Sequence, residues 1–512
     1  MSHRKQLPAR ASIEQLKKQA KELLAELRAG SAEAAARLAE ALPGARDRLA
    51  DAQLVLAREY GFPSWSELRQ HVDAIDPSDP MTAFVAAACV PLDADYASAT
   101  ADRADAILAA HPSLAGRDIF VAAIRGDDAA VARLCAADPG AATHTGGIYD
   151  WDPLTYLCFS RYLRRGGDGF LRAVRVLLAH GASANTGFYA HDHAPAAVFE
   201  SAIYGAAGVA HDVELTRLLL AHGADPNDDE TPYHVPEGYD NAVLEVLVGS
   251  GRMSEQSLAT MMLRKCDWHD YDGIVWLLAH GVDPNYLTVW GRRGLHQALE
   301  RDNPLRFFEA MLDRGADPRL ANRAGWSAIV VAARTGRADV LDLFARRGFA
   351  DPLAGDDALL AACARGEAAT ARALAAADAG IVRRIEAEAP STLADFAGAG
   401  NTAGVALLLD LGFDPARTTN RAGARDDTPL HAAIWRGRHA TAKLLIARGA
   451  PLELHNGNGE TPLAYAVRTM LHSEWIRERT TDTIEALLAA GADRSVLATP
   501  TGWAPLDALL GV

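Results

Sequence analysis

The sequence predicts an all-α solenoid, in which pairs of helices repeat along the chain and stack side by side. Two short phrases support this prediction, because both recur in a fixed order at a period of about 33 residues. The composition agrees with a folded chain, since 49% of the 512 residues are apolar and 23% are charged. An array of this length extends its core by adding repeats, so it does not have to divide into several globular domains.

The first phrase is a leucine-rich run that ends in glycine. It reads LLLAHGADPN at 218–227 and WLLAHGVDPN at 276–285. Successive glycines lie 34 residues apart from Gly281 to Gly315, and 33 residues apart from Gly315 to Gly348. Glycine ends a helix easily because it adopts the left-handed backbone conformation without steric cost. The phrase therefore predicts the end of the longer helix of each repeat.

The second phrase precedes the first by about twenty residues. It reads TPLH at 428–431, TPL at 461–463 and TPYH at 231–234. Threonine caps a helix through its side-chain oxygen, and proline fits the first helical turn, where its missing N–H costs nothing. The phrase therefore predicts the start of the shorter helix of each repeat.

In this order and at this period, the two phrases resemble those of the ankyrin repeat, whose units carry T-P-L-H and G-A-D-x-N motifs. The resemblance covers roughly residues 80–512. It implies an ankyrin-repeat solenoid of helix-turn-helix units with short β-hairpin or turn tips. It also implies that the protein acts by binding other proteins through the concave face of the array.

The predicted organisation has three parts. Residues 1–75 form a small leader of four helices, the fourth over 65–72. Its phrase LADAQLVLAREYGFPSWSELRQHV at 49–72 looks like the N-terminal module of many bacterial ankyrin-repeat proteins, and the leader is expected to cap the first repeat. Residues 76–80 form a linker, and residues 81–512 form an array of about eleven or twelve units. The units are atypical and lengthened at 144–300, and a half unit at 500–512 closes the array.

Composition also argues against several classes of function. The 66 acidic residues outnumber the 51 lysines and arginines, and the net charge of −15 disfavours nucleic acid. The five cysteines lie far apart, without a C-x-x-C pair, so we expect neither a disulfide framework nor a structural zinc site. We see no apolar run long enough for a membrane span and no signal peptide, and we therefore expect a cytoplasmic protein without a membrane partner. No cofactor motif is present, so we expect no cofactor.

The lengthened segment 144–300 is the predicted binding region. It holds 9 of the 12 tyrosines, 10 of the 17 histidines and 4 of the 9 tryptophans, and aromatic residues are enriched at binding hot spots. The candidates combine these residues with neighbouring charges and continue the same tip positions to Trp326. They are Tyr149, Asp150, Trp151, Asp152, Tyr156, Asp228, Asp229, Glu230, His234, Trp268, His269, Asp270, Tyr271, Trp290, Arg292, Arg293 and Trp326.

Two alternatives compete with protein binding in this segment. Paired carboxylates, either Asp150 with Asp152 or Asp228 with Asp267 and Asp270, would suit the acid and base of a hydrolase-like enzyme. A pocket in the same segment would instead bind a small molecule. The histidines at 191, 193 and 211, together with Asp212, are a further candidate group for a metal ion, although loop histidines are usually only polar surface.

Overall fold

The chain is described by a computed structural model. The chain divides into two compact units, residues 1–264 (unit 1) and 265–512 (unit 2). The structure describes residues 13–29, 31–42, 48–60, 62, 64, 65, 68, 79–89, 101–190, 197–421, 424–473, 479–497 and 499–511.

Helices dominate both units. The helices of unit 1 are α1 (Ile13–Arg28), α2 (Ala32–Ala41), α3 (Leu49–Glu59), α4 (Pro80–Ala88), α5 (Asp102–Ala110), α6 (Ile119–Ile124), α7 (Asp128–Ala137), α8 (Pro153–Cys158), α9 (Asp168–Ala179), α10 (Ala202–Tyr204), α11 (Val213–Ala221), α12 (Thr231–His234) and α13 (Ala242–Gly249). Helix α14 (Glu255–Asp267) contains the boundary between the units.

Most helices of unit 2 follow one another in pairs. They are α15 (Tyr271–Ala279), α16 (Gly294–Glu300), α17 (Leu305–Leu312), α18 (Ala328–Arg334), α19 (Ala338–Arg346), α20 (Gly355–Ala364), α21 (Ala368–Ala377), α22 (Ile381–Glu388), α23 (Thr392–Ala399), α24 (Thr402–Asp410), α25 (Pro429–Trp435), α26 (His439–Ala447), α27 (Pro462–His472), α28 (Asp482–Ala489) and α29 (Ala504–Leu510).

Strands are short and antiparallel. In unit 1, β1 (Gly187–Ala190) pairs with β2 (Val198–Ser201), and in unit 2, β3 (Asn420–Arg421) pairs with β4 (Ala424–Arg425). A single bridge between Ala321 and Ser327 closes another tip of unit 2. The all-α solenoid class predicted from the sequence, with small turn or hairpin tips, is therefore confirmed.

The leader helices α1 to α3 share a core of their own. One cluster joins Leu23, Leu38 and Val55, and a second joins Leu16, Leu56 and Leu68. The fourth leader helix predicted over 65–72 lies mostly outside the described residues. So does the linker predicted at 76–80, whose last residue, Pro80, begins α4 behind the capping residue Asp79.

One repeat of unit 2 shows why the two phrases fold as they do. The side chain of Thr428 caps α25, and Pro429 occupies the first turn of that helix. Gly437 and Gly449, with φ angles of 63° and 80°, end α25 and α26 in the conformation that glycine adopts readily. Leu445 of α26 is fully buried. The local signals of the motif therefore act at the positions where the sequence predicts them.

The array of unit 2 departs from regular stacking around α20 to α23. Helix α18 packs against both α20 and α23, and Phe396 of α23 is fully buried beside the turn at Gly336. The side chain of Asn401 donates hydrogen bonds to the carbonyls of Gly336 (2.8 Å) and Ala364 (2.7 Å). These contacts hold the end of α18 close to α23. The turns that follow the first helices of several repeats consequently meet on one side of unit 2.

Candidate functional site

The aromatic candidates near residue 150 form part of the core of unit 1. The ring of Trp151 stacks on Phe188 at 4.2 Å between centroids and on Tyr149 at 4.7 Å, and it is 6% exposed. Tyr156 is fully buried and packs against Trp151 at 5.2 Å. The lengthened repeat uses its rings to fill space between helices and strands, so Trp151 and Tyr156 offer little surface to a partner.

The two carboxylates beside these rings have different surroundings. Asp152 caps α8, because its Oδ1 accepts hydrogen bonds from the backbone N–H groups of Leu154 (2.9 Å) and Thr155 (3.1 Å). Its Oδ2 accepts from the hydroxyls of Thr155 (2.8 Å) and Thr186. Asp150 is exposed in a left-handed turn with φ of 56°. Asp152 is thus a structural cap, and its contacts do not favour the acid and base hypothesis.

The candidates around residue 230 form a polar network in unit 1. Asp228 accepts hydrogen bonds from the backbone N–H of Thr231 at 2.5 Å and from the hydroxyl of Ser201, and burial raises its pKa. The ring of His234 lies 3.0 Å from Glu230 and 3.2 Å from Glu237. Burial opposes protonation of His234, but the hydrogen bonds to the two glutamates outweigh it and raise its pKa to about 9.

The network is completed from α14, while Asp229 remains outside it on the surface. Arg264 donates to Glu237 at 2.6 Å and lies 4.0 Å above the ring of Tyr233. His234 and Arg264 therefore both neutralise Glu237. This set of charges stabilises the short helix α12.

The metal hypothesis receives no support from the part of the chain that the structure describes, where no group of three possible ligands is found. His191 and His193 lie outside the described residues. His211 is exposed, and Asp212 caps α11 by accepting from Leu215 N–H at 2.9 Å.

In unit 2, the candidates from 267 to 271 also hold the fold together. Asp270 caps α15 and forms a 2.8 Å ion pair with Lys265, which is fully buried. Asp267 pairs with Arg301 at 2.6 Å. Tyr271 lies under the guanidinium of Arg306, at 4.4 Å. Between them, Trp268 and His269 are half-buried.

Two neighbouring tips of unit 2 expose large apolar side chains. Leu287, Val289 and Trp290 precede α16 and are 38%, 59% and 45% exposed. Trp326 precedes α18 and is 41% exposed. The backbone N–H of Arg323 donates to the carbonyl of Gly291 at 2.9 Å, which joins the two tips directly. We call Leu287, Val289, Trp290 and Trp326 the tip surface.

The cations near the tip surface differ in their partners. Arg292 forms a 2.8 Å ion pair with Glu300, and Arg334 covers the ring of Trp326 at 4.4 Å. Arg293 donates to backbone carbonyls, including that of Ala321 at 3.0 Å. Among the described residues, neither Arg293 nor the exposed Arg323 forms an ion pair. The rim of the tip surface is therefore positively charged in a chain whose net charge is negative.

A polar cavity of about 470 Å³ lies elsewhere in unit 2, where the turns after the first helices meet. Only its edge at residues 299–300 falls inside the segment that the sequence analysis favoured. Its walls come from repeats more than 100 positions apart in the chain, so no local phrase marks it. The lining residues are Leu299, Glu300, Arg301, Asp302, Thr335, Arg337, Ala394, Asp395, Gly398, Ala399, Thr419, Asp427, Ala432, Trp435, Arg436, Asn458, Tyr465 and Arg468.

The paired helices, glycine turns and hairpin tips define the class of helical repeat proteins that present binding surfaces. Residues 393–497 match the family model of ankyrin repeats, in three copies. This part of the chain therefore consists of ankyrin repeats. Its repeats indicate a protein-interaction module.

Individual relatives also match only part of the chain. A human protein described as a mitochondrial disaggregase is 31% identical over 166 residues, which are 32% of this chain. The match spans only 23% of the length of that relative. The solved human ASB11 ankyrin repeat domain is 21% identical, and the match covers 45% of this chain and 98% of that domain with a TM-score of 0.22. The described part of the chain contains no helix long and apolar enough to cross a membrane.

Proposed function

We propose that this protein binds a protein partner in the cytosol through the tip surface of unit 2. The observation that supports the proposal is the grouping of four exposed apolar side chains, two of them tryptophans, on two tips joined by a backbone hydrogen bond. Exposed apolar groups of this kind mark interaction sites, and tryptophan is the residue type most enriched at hot spots.

The surroundings of the tip surface favour a partner segment of particular chemistry. The rim carries Arg293 and Arg323, which form no ion pair among the described residues. Acidic side chains of a partner would complement these cations, while apolar side chains would cover the two tryptophans. We therefore propose an acidic segment with apolar anchor residues as the ligand.

The proposed binding site is smaller than the region 144–300 that the sequence analysis favoured, and it extends beyond that region to Trp326. Trp290, Arg292, Arg293 and Trp326 remain candidates, because they lie on or beside the tip surface. The aromatic residues near 150 are assigned to the core instead. The enzyme hypothesis draws no comparable support, since Asp152, Asp267 and Asp270 are engaged in caps or ion pairs.

The test uses the full-length chain and the double variant Trp290→Ala/Trp326→Ala. Cross-linking in cells identifies a candidate partner, and calorimetry with that purified partner then measures its affinity. We expect the double variant to bind at least about tenfold more weakly, since each hot-spot side chain contributes on the order of 2 kcal/mol. Arg323→Glu should also weaken binding, and more strongly at low salt.

The matched control is Leu454→Ala, which removes a 39% exposed apolar side chain from a different tip of the same unit. Its affinity for the partner should equal that of the unaltered chain. Equal affinity of the tryptophan double variant for every purified partner would contradict the tip surface as the site. Binding that Arg323→Glu strengthens would contradict an acidic ligand.

A further inference from the structure

Arg337 and Arg436 line the polar cavity of unit 2, and together with Arg438 they share the carboxylate of Asp302. Asp302 accepts from Arg337 at 3.1 Å, lies 3.5 Å from Arg436 and also pairs with Arg438. Arg337 has a second partner, Asp339, at 2.8 Å. Three guanidinium groups thus share two carboxylates at this point.

Arg436 is the least neutralised member of this group. Its guanidinium donates to the carbonyl oxygens of Arg301 at 3.2 Å and Glu300 at 3.3 Å. Its nearest carboxylate is that of Asp302, which also pairs with the two other arginines. Burial lowers the pKa of Arg436, and the negative charge of Asp302 opposes this effect, while repulsion from Arg438 and Arg301 adds to it. Asp395 attracts Arg436 more weakly than these two arginines repel it.

An aromatic wall stands beside this cation. Trp435, the residue before Arg436, is 37% exposed and lines the cavity. Its ring stacks on Tyr465 at 6.0 Å with an angle of 28° between the planes. Arg468 covers Tyr465 at 4.9 Å and is held by both oxygens of Glu460, at 2.6 and 2.8 Å. The wall is therefore fixed from behind, while Trp435 presents surface to the cavity.

The acidic residues of the lining are paired, hydrogen-bonded or buried. Glu300 is paired with Arg292 at 2.8 Å. Asp427 is 7% exposed, and burial raises its pKa, so its carboxyl group holds a proton more readily than an exposed one. Asp395 accepts a hydrogen bond from the hydroxyl of Ser391 at 2.9 Å.

We propose that this cavity binds a ligand bearing a carboxylate, with Arg436 as the anchoring cation and Trp435 as the surface against which the rest of the ligand packs. A guanidinium matches the geometry of a carboxylate and forms charge-assisted hydrogen bonds with it. The volume of about 470 Å³ lies within the range of small-ligand pockets. The carboxylate comes either from a small free acid or from an acidic side chain of a peptide.

Calorimetric titration of the full-length chain separates these sources with three probes. Succinate represents a small free acid, acetyl-Glu-Phe-Glu-amide represents an acidic peptide, and acetyl-Arg-Phe-Arg-amide tests the opposite charge. We expect saturable binding of at least one acidic probe, and Arg436→Gln should weaken it by about tenfold or more, as for a hydrogen bond to a charged group. Binding of succinate alone identifies a free acid, and binding of the acidic peptide alone identifies a protein segment.

Control variants test whether the loss of probe affinity is specific to the cavity. Arg365→Gln removes an arginine that pairs with Asp342 outside the cavity lining and should leave the affinity unchanged. If Arg436→Gln lowers the folded fraction, Trp435→Ala provides the second variant, and it should weaken the same probe. The double variant Trp290→Ala/Trp326→Ala should retain probe binding, so failure of the tip-surface proposal is distinguishable from failure of this one.

Three outcomes would overturn the proposal. They are absence of saturation with both acidic probes, tighter binding of the cationic probe, and unchanged affinity in both Trp435→Ala and folded Arg436→Gln.

Discussion

At the residue scale, the histidine of the T-P-L-H motif connects one repeat to the next. Nδ1 of His431 lies 2.8 Å from the hydroxyl of Thr428, and its Nε2 lies 3.2 Å from the carbonyl oxygen of Glu460 in the following tip. In the repeat of His296, Arg293 replaces the threonine. Nδ1 of His296 is consequently buried without a hydrogen-bond partner among the described residues. Nε2 of His296 still lies 2.9 Å from the carbonyl oxygen of Trp326 in the following tip, so this motif position keeps the contact between repeats although the threonine cap is missing.

The environment of His431 gives a pH-dependent prediction. Burial lowers the pKa of His431 to about 4, whereas an exposed histidine in the unfolded chain has a pKa of about 6.5. The unfolded state therefore takes up the proton first as the pH falls. The contribution of His431 to the free energy of unfolding is complete above about pH 6.5 and is lost between about pH 6.5 and about pH 4.

Chemical denaturation of the full chain at about pH 7.5 and about pH 5 tests this prediction. His431→Gln is the comparison variant, and its free energy of unfolding should fall less over this interval than that of the unaltered chain. His296 and His439, whose pKa values are also lowered by burial, are present in both proteins and cancel in the difference. Equal losses in the two proteins would show that His431 does not titrate as described.

At the scale of single elements, the leucine-rich helices confirm the periodicity of the sequence. In α15, Ile274, Leu277 and Leu278 are buried, whereas Val275 is 38% exposed. Residues three and four positions apart lie on one face of a helix, which explains why the apolar phrase and the buried stripe coincide. The short first helices were harder to predict, because their aromatic residues are buried in some repeats and exposed in others.

The buried stripe of α15 predicts the cost of a cavity. Leu277→Ala should lower the free energy of unfolding by about 2 to 5 kcal/mol, since the fully buried side chain leaves a space that neighbouring repeats fill only in part. Val275→Ala, on the exposed face of the same helix, should change it by no more than about 0.5 kcal/mol. Urea denaturation of both variants measures the difference, and similar values for the two would argue against burial of the stripe.

At the scale of the whole molecule, the departure of unit 2 from regular stacking is its most consequential feature. In a regular array each repeat contacts only its neighbours. Here Arg436 donates to the carbonyls of Glu300 and Arg301, and Arg438 pairs with Asp302, across about 136 positions of the chain. These contacts build the polar cavity. The domain boundaries at 75 and 80, and the capping role of the leader, stay predictions.

Asp302 offers a direct test of these long-range contacts. Asp302→Asn removes the charge that three arginines share, and asparagine tolerates the φ of 55° at this position. Because the carboxylate is only 12% exposed, the variant should lose on the order of 3 kcal/mol, as expected when one partner of a buried ion pair is removed.

Asp342→Asn is the matched control, because it breaks an exposed pair with Arg365 and should cost no more than about 1 kcal/mol. Denaturation followed by circular dichroism compares the two variants. If Asp302→Asn proved as stable as the control, the shared carboxylate would not be holding the distant repeats together.

The repeat, its caps and glycine turns, and the buried faces of the longer helices can be predicted from the sequence, because each of these features depends on residues within one or two turns of helix. The exposure of the aromatic residues, by contrast, depends on tertiary contacts. Trp151 and Trp290 both precede a first helix, yet the former packs between Tyr149 and Phe188 while the latter stays on a tip. Tertiary structure also brings Asp302, Arg337 and Arg436 together, because burial and charge pairing between distant repeats depend on how the array bends.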